Sequence, residues 1–306
     1  MSSKLNFPAG LWRLADPKIS ITSVAAMAIG AALAYRDGST PWGWLALTLL
    51  ALFCFEVAKN AWGDVIDFDS GTDLAVKPED RTDFSGGKRV LVDELLTRRQ
   101  TWSIAIVFGA AGALLGMLIV LGREPGLFWL GLAGVLLAWS YHGPPLQLAY
   151  RGLGELDVAL CYGPLISMGT YVVCTQGYNS DVIWASLPLG LFIAAFLWVN
   201  EFPDFEADRS VGKNNLVVRL GRHRASRLLP VIYLLASLIL LGACALEHLP
   251  PAAALGLVAL LPATAACSWI WREPDSFYRH KPVQPMALLA FVILAAGIAV
   301  GTIYTV

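Results

Sequence analysis

The chain has 306 residues, of which 57% are hydrophobic and only 15% are charged, and its formal net charge is −1. Together with a mean hydropathy of +0.61, this composition excludes an ordinary soluble domain of the same length and indicates a membrane protein. The five cysteines show no Cys-x-x-Cys spacing, which argues against a zinc site, and we expect no nucleic acid among the partners.

Nine apolar segments are long enough to cross a bilayer, whose core requires roughly 20 apolar residues per helix. They predict an all-α polytopic membrane protein in which about nine transmembrane helices form one bundle with a central cavity. We expect residues 1–306 to form a single domain. The segments lie near 19–35, 42–60, 101–121, 126–142, 154–174, 182–199, 225–247, 250–271 and 283–305.

The basic residues are distributed unevenly between alternate loops. Of the 22 Lys and Arg residues, all but Arg36 and Arg123 fall in the N-terminal tail or near the loops that follow every second helix. Because basic loops remain on the cytoplasmic side, we predict a multi-pass protein of the plasma (inner) membrane. Its N-terminus and active site would face the cytoplasm, and no cleaved signal peptide is expected.

The second predicted helix ends in an acidic sequence that runs from Asn60 to Asp73. If the helix continues into this sequence, Glu56, Asn60, Asp64 and Asp67 recur every three or four residues and share one face. Asp73 lies beyond a glycine and can return toward the same point from the loop. The spacing therefore predicts that these side chains converge on one ion.

The sixth predicted helix ends in a similar way. Asn200, Asp204 and Asp208 are spaced by four residues and again share one face. Pro203 removes a backbone donor, so we expect it to kink or end the helix there. Either acidic cluster alone is typical of a solvated loop, but two clusters at the same membrane face favour one shared site.

The carboxylates of the two clusters require a counter-charge, because ionised neighbours would raise one another's pKa. Oxygen ligands without histidine or cysteine favour Mg²⁺, which usually bridges carboxylates to substrate phosphates. Direct partners for a diphosphate are expected to be Lys88, Arg89, Arg209 and Lys213. The predicted metal ligands are Asp64, Asp67, Asp73, Asp204 and Asp208, and we expect Asp64, Asp67, Asp204 and Asp208 to be catalytic.

The two clusters resemble the paired motifs of the UbiA superfamily of intramembrane polyprenyltransferases. The first, from Gly63 to Asp73, is similar to Asn-Asp-x-x-Asp followed by Gly-x-Asp, and the second lies within Asn200–Gly221. The resemblance covers nearly the whole chain, including the nine helices expected for the family. One departure is Gly63, which stands where the motif usually opens with asparagine, so the polar contact of that asparagine is missing or is provided by Asn60.

The loop after the fourth predicted helix, 140–156, and the segment 84–91 resemble the 1,4-dihydroxy-2-naphthoate polyprenyltransferase branch of menaquinone biosynthesis. This resemblance implies a reaction in which Mg²⁺ and basic residues hold a polyprenyl diphosphate and promote an allylic carbocation. Attack by the aromatic acceptor, with loss of its carboxyl group, would give demethylmenaquinone. The residues predicted to bind substrates are Asn60, Asp73, Lys88, Arg89, Tyr141, Arg151, Asn200, Arg209 and Lys213.

Two of these residues have specific expected roles. The ring face of Tyr141 is suited to stabilising the carbocation, although most aromatic residues in such a chain serve in packing or at the membrane interface. Arg151 is expected to bind either the carboxylate of the aromatic acid or the diphosphate, the alternative being a plain cytoplasmic anchor.

Other functions are compatible with parts of the sequence. The same chemistry on 4-hydroxybenzoate, homogentisate, a chlorophyllide or a glycerol phosphate stays open, as does a cation-coupled membrane transporter with broken helices. A CDP-alcohol phosphotransferase is disfavoured because its continuous Asp-Gly and Ala-Arg motif is absent. A soluble terpene synthase is excluded by the apolar helices and by the asymmetry of the basic residues.

Overall fold

The computed structural model describes residues 5–304, whose regular structure is entirely helical. Short 3₁₀ turns occur at Pro78–Asp80, Leu148–Tyr150 and Phe277–Arg279, and a longer 3₁₀ segment, Pro251–Ala259, precedes the twelfth helix. The α-helices are α1 (Phe7–Ala15), α2 (Pro17–Arg36), α3 (Trp42–Asp69), α4 (Thr72–Ala75), α5 (Arg98–Gly122), α6 (Leu127–His142), α7 (Gly154–Leu160), α8 (Ile166–Thr175), α9 (Ser180–Ser210), α10 (Leu216–Leu220), α11 (Arg222–Ala245), α12 (Leu260–Arg272) and α13 (Val283–Ile303).

Within residues 5–304, eight helical segments are long and apolar enough to cross a membrane, and α6 is a shorter apolar helix. Together these nine correspond to the nine predicted segments, so the all-α polytopic fold is confirmed. The eight segments are Phe7–Arg36, Trp42–Asp69, Arg98–Gly122, Gly154–Thr175, Ser180–Ser210, Arg222–Ala245, Pro251–Arg272 and Val283–Ile303.

Two helices continue well past their predicted ends at residues 60 and 199. α3 reaches Asp69 and α9 reaches Ser210, so both acidic clusters lie largely on helices. Of the two outcomes expected at Pro203, a kink or the end of the helix, the second is wrong, because Pro203 lies inside α9. The apolar pattern fades before the helices end, since their last turns face a polar cavity instead of lipid.

The most buried of the spanning segments is α9, which packs against α2, α7, α11 and α13. Its apolar middle supplies fully buried side chains such as Leu189, Phe192 and Val199. Burial of this helix along its length fixes the position of its acidic end. α9 therefore presents Asn200, Asp204 and Asp208 toward the end of α3.

The segment 76–97, which joins α4 to α5, folds over the ends of α3 and α9; we call it the covering loop. Arg13 of α1 binds Asp93 of this loop with 2.6 Å between Nη1 and Oδ2, and Lys88 forms an ion pair with Asp16. The short helix α1 is thereby tied to the covering loop, and together they close one end of the bundle.

Candidate active site

A cavity of about 920 Å³ lies between the ends of α3 and α9, beneath the covering loop. Both acidic clusters line it, so the two distant parts of the sequence do meet. The predicted site residues on its wall are Asn60, Asp64, Asp67, Asp73, Lys88, Arg89, Tyr141, Asn200, Asp204, Asp208 and Lys213.

Two predicted residues are not brought to the cavity. Arg151 donates a hydrogen bond from Nη2 to the carbonyl of Pro145 (3.0 Å), and its side chain is exposed. Arg209 is exposed at the end of α9. Arg209 follows Asp208 on the helix and therefore points about 100° away from the face that lines the cavity.

The two carboxylates of α3 have different partners. Asp64 accepts hydrogen bonds from the backbone N–H groups of Val90 and Leu91 in the covering loop, both at 3.2 Å. Asp67 Oδ1 lies 3.4 Å from Nδ1 of His142 and 3.5 Å from the hydroxyl of Tyr150. Asp64 thus fixes the loop, whereas Asp67 faces groups that line the cavity wall or flank it.

Asp73 returns to the cavity as the sequence predicted, in contact with the covering loop. A Cβ atom added to Gly87 would lie 2.1 Å from Asp73 Oδ1, and Gly87 has a φ of +77°, so only glycine fits there. Arg89 donates from Nη1 to the carbonyl of Asp73 (2.8 Å). Burial, followed by the charges of Asp67 and Asp64, raises the pKa of Asp73 well above its usual value.

Among the predicted basic residues, Lys213 is the one that directly contacts a carboxylate of α9. Asp204 Oδ2 accepts from the N–H of Gly86 (3.2 Å), and Asp208 Oδ2 accepts from Nδ2 of Asn215 (2.8 Å). Lys213 Nζ lies 3.4 Å from Asp208 Oδ1. Burial opposes the charged form of Lys213, but the charges of Asp208 and Asp67 raise its pKa well above its usual value.

The carboxylates are suited to a hard cation because several of their buried oxygens make no hydrogen bond. In residues 5–304 this holds for Asp73 Oδ2, Asp204 Oδ1 and Asp208 Oδ1. No group of three or more His, Cys, Asp or Glu side chains in that range is arranged to hold an ion by itself. Mg²⁺ commonly binds one or two carboxylates and completes its shell with water and phosphate oxygens, so the five-ligand set stays a prediction.

The two asparagines mainly orient neighbouring helices. Asn60 donates from Nδ2 to the carbonyl of Leu14 in α1 (2.8 Å), and Asn200 accepts from Nε2 of Gln284 in α13 (3.0 Å). Both remain on the cavity wall. The structure thus gives each a packing role in addition to its position in the site.

Four ionisable residues on the cavity wall, among others, were not included in the predicted site. His142 packs over Gly63, where an added Cβ would lie 3.2 Å from the imidazole ring, so the histidine fills the space beside the motif glycine. Its position before Gly143-Pro144-Pro145 carried no chemical signal of this contact. The other three are Lys18, Lys59 and Glu201.

Comparisons with known proteins agree with this arrangement. Residues 23–284 match the model of the UbiA prenyltransferase family. A 2-carboxy-1,4-naphthoquinone phytyltransferase from Synechocystis is 30% identical over 257 residues, which are 82% of this chain and 79% of that protein. A 1,4-dihydroxy-2-naphthoate octaprenyltransferase from Bacillus subtilis is 24% identical, over 76% of this chain and 72% of the relative.

Solved structures share the fold at lower sequence identity. The apo structure of a UbiA homolog from Aeropyrum pernix superposes with a TM-score of 0.72 at 19% identity, covering 92% of this chain and 98% of that one. A UbiA homolog from Archaeoglobus fulgidus, solved with DMAPP and Mg²⁺, gives a TM-score of 0.57 at 15% identity over 97% of this chain and 99% of that one.

Proposed function

The chain belongs to the UbiA prenyltransferase family, and on that basis we propose that it transfers a polyprenyl group from polyprenyl diphosphate to 1,4-dihydroxy-2-naphthoate. It is a multi-pass integral membrane enzyme. The naphthoate acceptor is supported by two relatives, one of them a 2-carboxy-1,4-naphthoquinone phytyltransferase and the other a 1,4-dihydroxy-2-naphthoate octaprenyltransferase. We further propose that the enzyme lies in the plasma membrane with its active site toward the cytoplasm, in keeping with its basic loops.

The observation that carries the proposal is a polar cavity that adjoins an apolar one. The second cavity, of about 410 Å³, is lined mainly by apolar side chains of α3, α5, α6 and α8. It shares part of its wall with the acidic cavity. A polyprenyl diphosphate has the same division, with a charged head and an apolar tail, so its reactive C1 atom would lie near the boundary.

The charged head is matched by the polar cavity. Lys213, Lys88 and Arg89 supply positive charge for the diphosphate oxygens, and the aspartates with unbonded oxygens suit Mg²⁺, as in the homolog solved with DMAPP and Mg²⁺. When bound, Mg²⁺ supplies a Lewis acid that favours departure of the diphosphate. The apolar wall excludes water that would otherwise capture the allylic cation.

The proposed reaction balances without a further reactant. The bond between C1 of the prenyl group and the diphosphate oxygen breaks, and its electron pair leaves with the diphosphate. The ring carbon that carries the carboxylate forms a carbon–carbon bond to C1. The carboxylate leaves as CO₂, and the electron pair of its bond returns to the ring, which gives the reduced form of demethylmenaquinone.

The test is a prenyl-transfer assay in membranes with 1,4-dihydroxy-2-naphthoate and a radiolabelled polyprenyl diphosphate, with and without Mg²⁺. We expect a Mg²⁺-dependent lipid product that disappears in Asp64→Ala and in Asp204→Ala. A product formed only with 4-hydroxybenzoate, homogentisate, a chlorophyllide or a glycerol phosphate would overturn the acceptor. Absence of any product, together with cation-driven solute flux into vesicles, would favour a transporter.

A further inference from the structure

The two cavities meet at a small set of side chains, which we call the junction. Four residues belong to the walls of both cavities: Lys59, Tyr141, Val158 and Tyr162. Within residues 5–304, Lys59 is therefore the one basic residue that borders both the polar cavity and the apolar cavity.

Lys59 lies deeper in the bundle than the other basic residues of the site. It precedes Asp64 by five positions on α3, which at 1.5 Å per residue corresponds to about 7.5 Å along the helix. Within residues 5–304 its ammonium group has no hydrogen-bond or ion-pair partner, and it lies 5.9 Å from the centre of the Tyr141 ring. An ionisable side chain at membrane depth without a partner is costly and indicates a function.

Asp157 of α7 is another polar group in the same region that lacks a partner, because one of its carboxylate oxygens accepts no hydrogen bond. Its side chain is 4% exposed, its Oδ1 has no hydrogen-bond partner, and it lines the apolar cavity. The nearby Glu56 differs, because its two oxygens accept hydrogen bonds from Ser20 and Ser23 of α2. Lys59 is attracted by both carboxylates but forms an ion pair with neither.

We propose that the junction is the acceptor site, where Lys59 binds the carboxylate of an ortho-hydroxy aromatic acid and Asp157 accepts a hydrogen bond from a ring hydroxyl. This inference rests on the proposed function and adds the residues that select the acceptor. Tyr141 completes the site, because its ring borders both cavities and offers an aromatic face to a planar substrate.

The alternative ligand for Lys59 is the diphosphate, and the arrangement of charge disfavours it. Lys18, Lys88, Arg89 and Lys213 already line the polar cavity, whereas none of them reaches the apolar one. A single ammonium group in apolar surroundings suits a single carboxylate, whose charge it neutralises with little competition from water. An acceptor held there lies between the diphosphate site and the apolar cavity, beside the position expected for C1.

The test separates acceptor binding from diphosphate binding in the enzyme reconstituted in nanodiscs. For Lys59→Met we expect the KM for 1,4-dihydroxy-2-naphthoate to rise at least 10-fold, with the KM for the polyprenyl diphosphate changed less than 2-fold. Lys59→Arg, which keeps the charge, should recover most of the loss. The matched control is Lys88→Met, in which the KM for the diphosphate should rise instead.

Two non-reacting analogues test the carboxylate directly. Inhibition by 1-hydroxy-2-naphthoate should weaken at least 10-fold in Lys59→Met, whereas inhibition by 1-naphthol, which lacks the carboxyl group, should change less than 2-fold. Equal weakening of both inhibitors, or a KM change confined to the diphosphate, would overturn the proposal. A wild-type enzyme that transfers no prenyl group to any carboxylated ring would instead overturn the proposed function.

A purely structural Lys59–Asp157 pair makes a different prediction. In the double variant Lys59→Met/Asp157→Leu no buried charge is left alone, so a structural pair predicts recovery of the acceptor KM. Our proposal predicts that the acceptor KM stays high in the double variant, and recovery would overturn it. If Lys59→Met does not fold, the same inhibitor ratio measured in Lys59→Gln and Asp157→Asn decides the question.

Discussion

The two ends of the helix bundle contain similar polar residues but pair them differently. At one end, which we call the paired end, Arg36 forms ion pairs with Asp181 (2.9 Å) and Asp37 (3.0 Å). Two further contacts complete this end: His248 Nδ1 lies 3.0 Å from Asp181 Oδ1, and the hydroxyl of Tyr171 donates to Asp37 (2.5 Å). At the other end, the cavity end, Asp73, Asp204 and Asp208 each keep an oxygen without a hydrogen bond.

We infer from this difference that the polar residues of the paired end stabilise the fold, whereas those of the cavity end are available to bind ligands. At the paired end, Arg36, Asp37, Tyr171, Asp181 and His248 join the ends of α2, α8 and α9 to the loop after α11. Satisfied polar groups of this kind contribute to stability, whereas buried groups without partners cost stability. We therefore expect substitutions at the cavity end to reduce activity and substitutions at the paired end to reduce stability.

The largest effect on activity is expected for Asp204→Asn. The substitution removes a charge that supports the diphosphate site, so prenyl transfer should fall about 100-fold or more, the range seen when one group that stabilises transition-state charge is lost. The melting temperature should stay the same or rise, since a buried carboxylate charge close to that of Asp208 is removed. Paired assays of transfer and thermal unfolding in nanodiscs measure both, and a marked loss of stability would contradict the comparison.

Gly87→Ala should reduce activity about 10-fold or more by displacing Asp73, since the added Cβ would lie 2.1 Å from its carboxylate. Gly38→Ala is a matched control, because Gly38 also has a positive φ (+83°) but no atom within 4 Å of an added Cβ. Both variants should lose about 1–2 kcal/mol of stability from backbone strain. Only Gly87→Ala should lose specific activity, and equal activities would show that the contact with Asp73 is unimportant.

The opposite result is expected for Asp181→Asn at the paired end. The substitution weakens the ion pair with Arg36 and the hydrogen bond with His248, whose side chains are partly exposed, so the free energy of unfolding should fall by about 1 kcal/mol. Transfer by the folded enzyme should stay within about 2-fold of wild type. An activity loss as large as that of Asp204→Asn would remove the distinction between the two ends.

Sequence patterns predicted the fold and most of the cavity end because both follow from local periodicity. Asp64 and Asp67 share a helix face by their spacing, and Asp204 and Asp208 do likewise. The resemblance to a family with paired motifs then joined the two helices. Arg151 and Arg209 were expected at the site but lie outside the cavity, and their position near a motif carried no information about the direction of their side chains.

The paired end was not predicted because its contacts join residues that are far apart in the sequence. Arg36 and Asp181 are separated by 145 positions, and His248 meets Asp181 across a further 67. The contact of His142 with Gly63 is equally non-local. Single residues at helix ends show no periodicity, so only the packing of α2, α9 and the following loops reveals their partners.

The smallest expected effect is a pH dependence of stability at the paired end. Burial alone would raise the pKa of Asp37, but the hydrogen bond from Tyr171 and the charge of Arg36 bring it below its usual value of 3.8. Because the pKa of Asp37 is lower in the folded state than in the unfolded chain, the ionised carboxylate stabilises the fold at pH values above 3.8. This contribution is lost as the pH falls through the lowered pKa. The melting temperature of Asp37→Asn should therefore be lower than that of wild type at pH 7 and approach it near pH 3. Thermal unfolding in nanodiscs at pH 7, 5 and 3 measures the gap, and a constant gap would show that the charge of Asp37 does not stabilise the paired end.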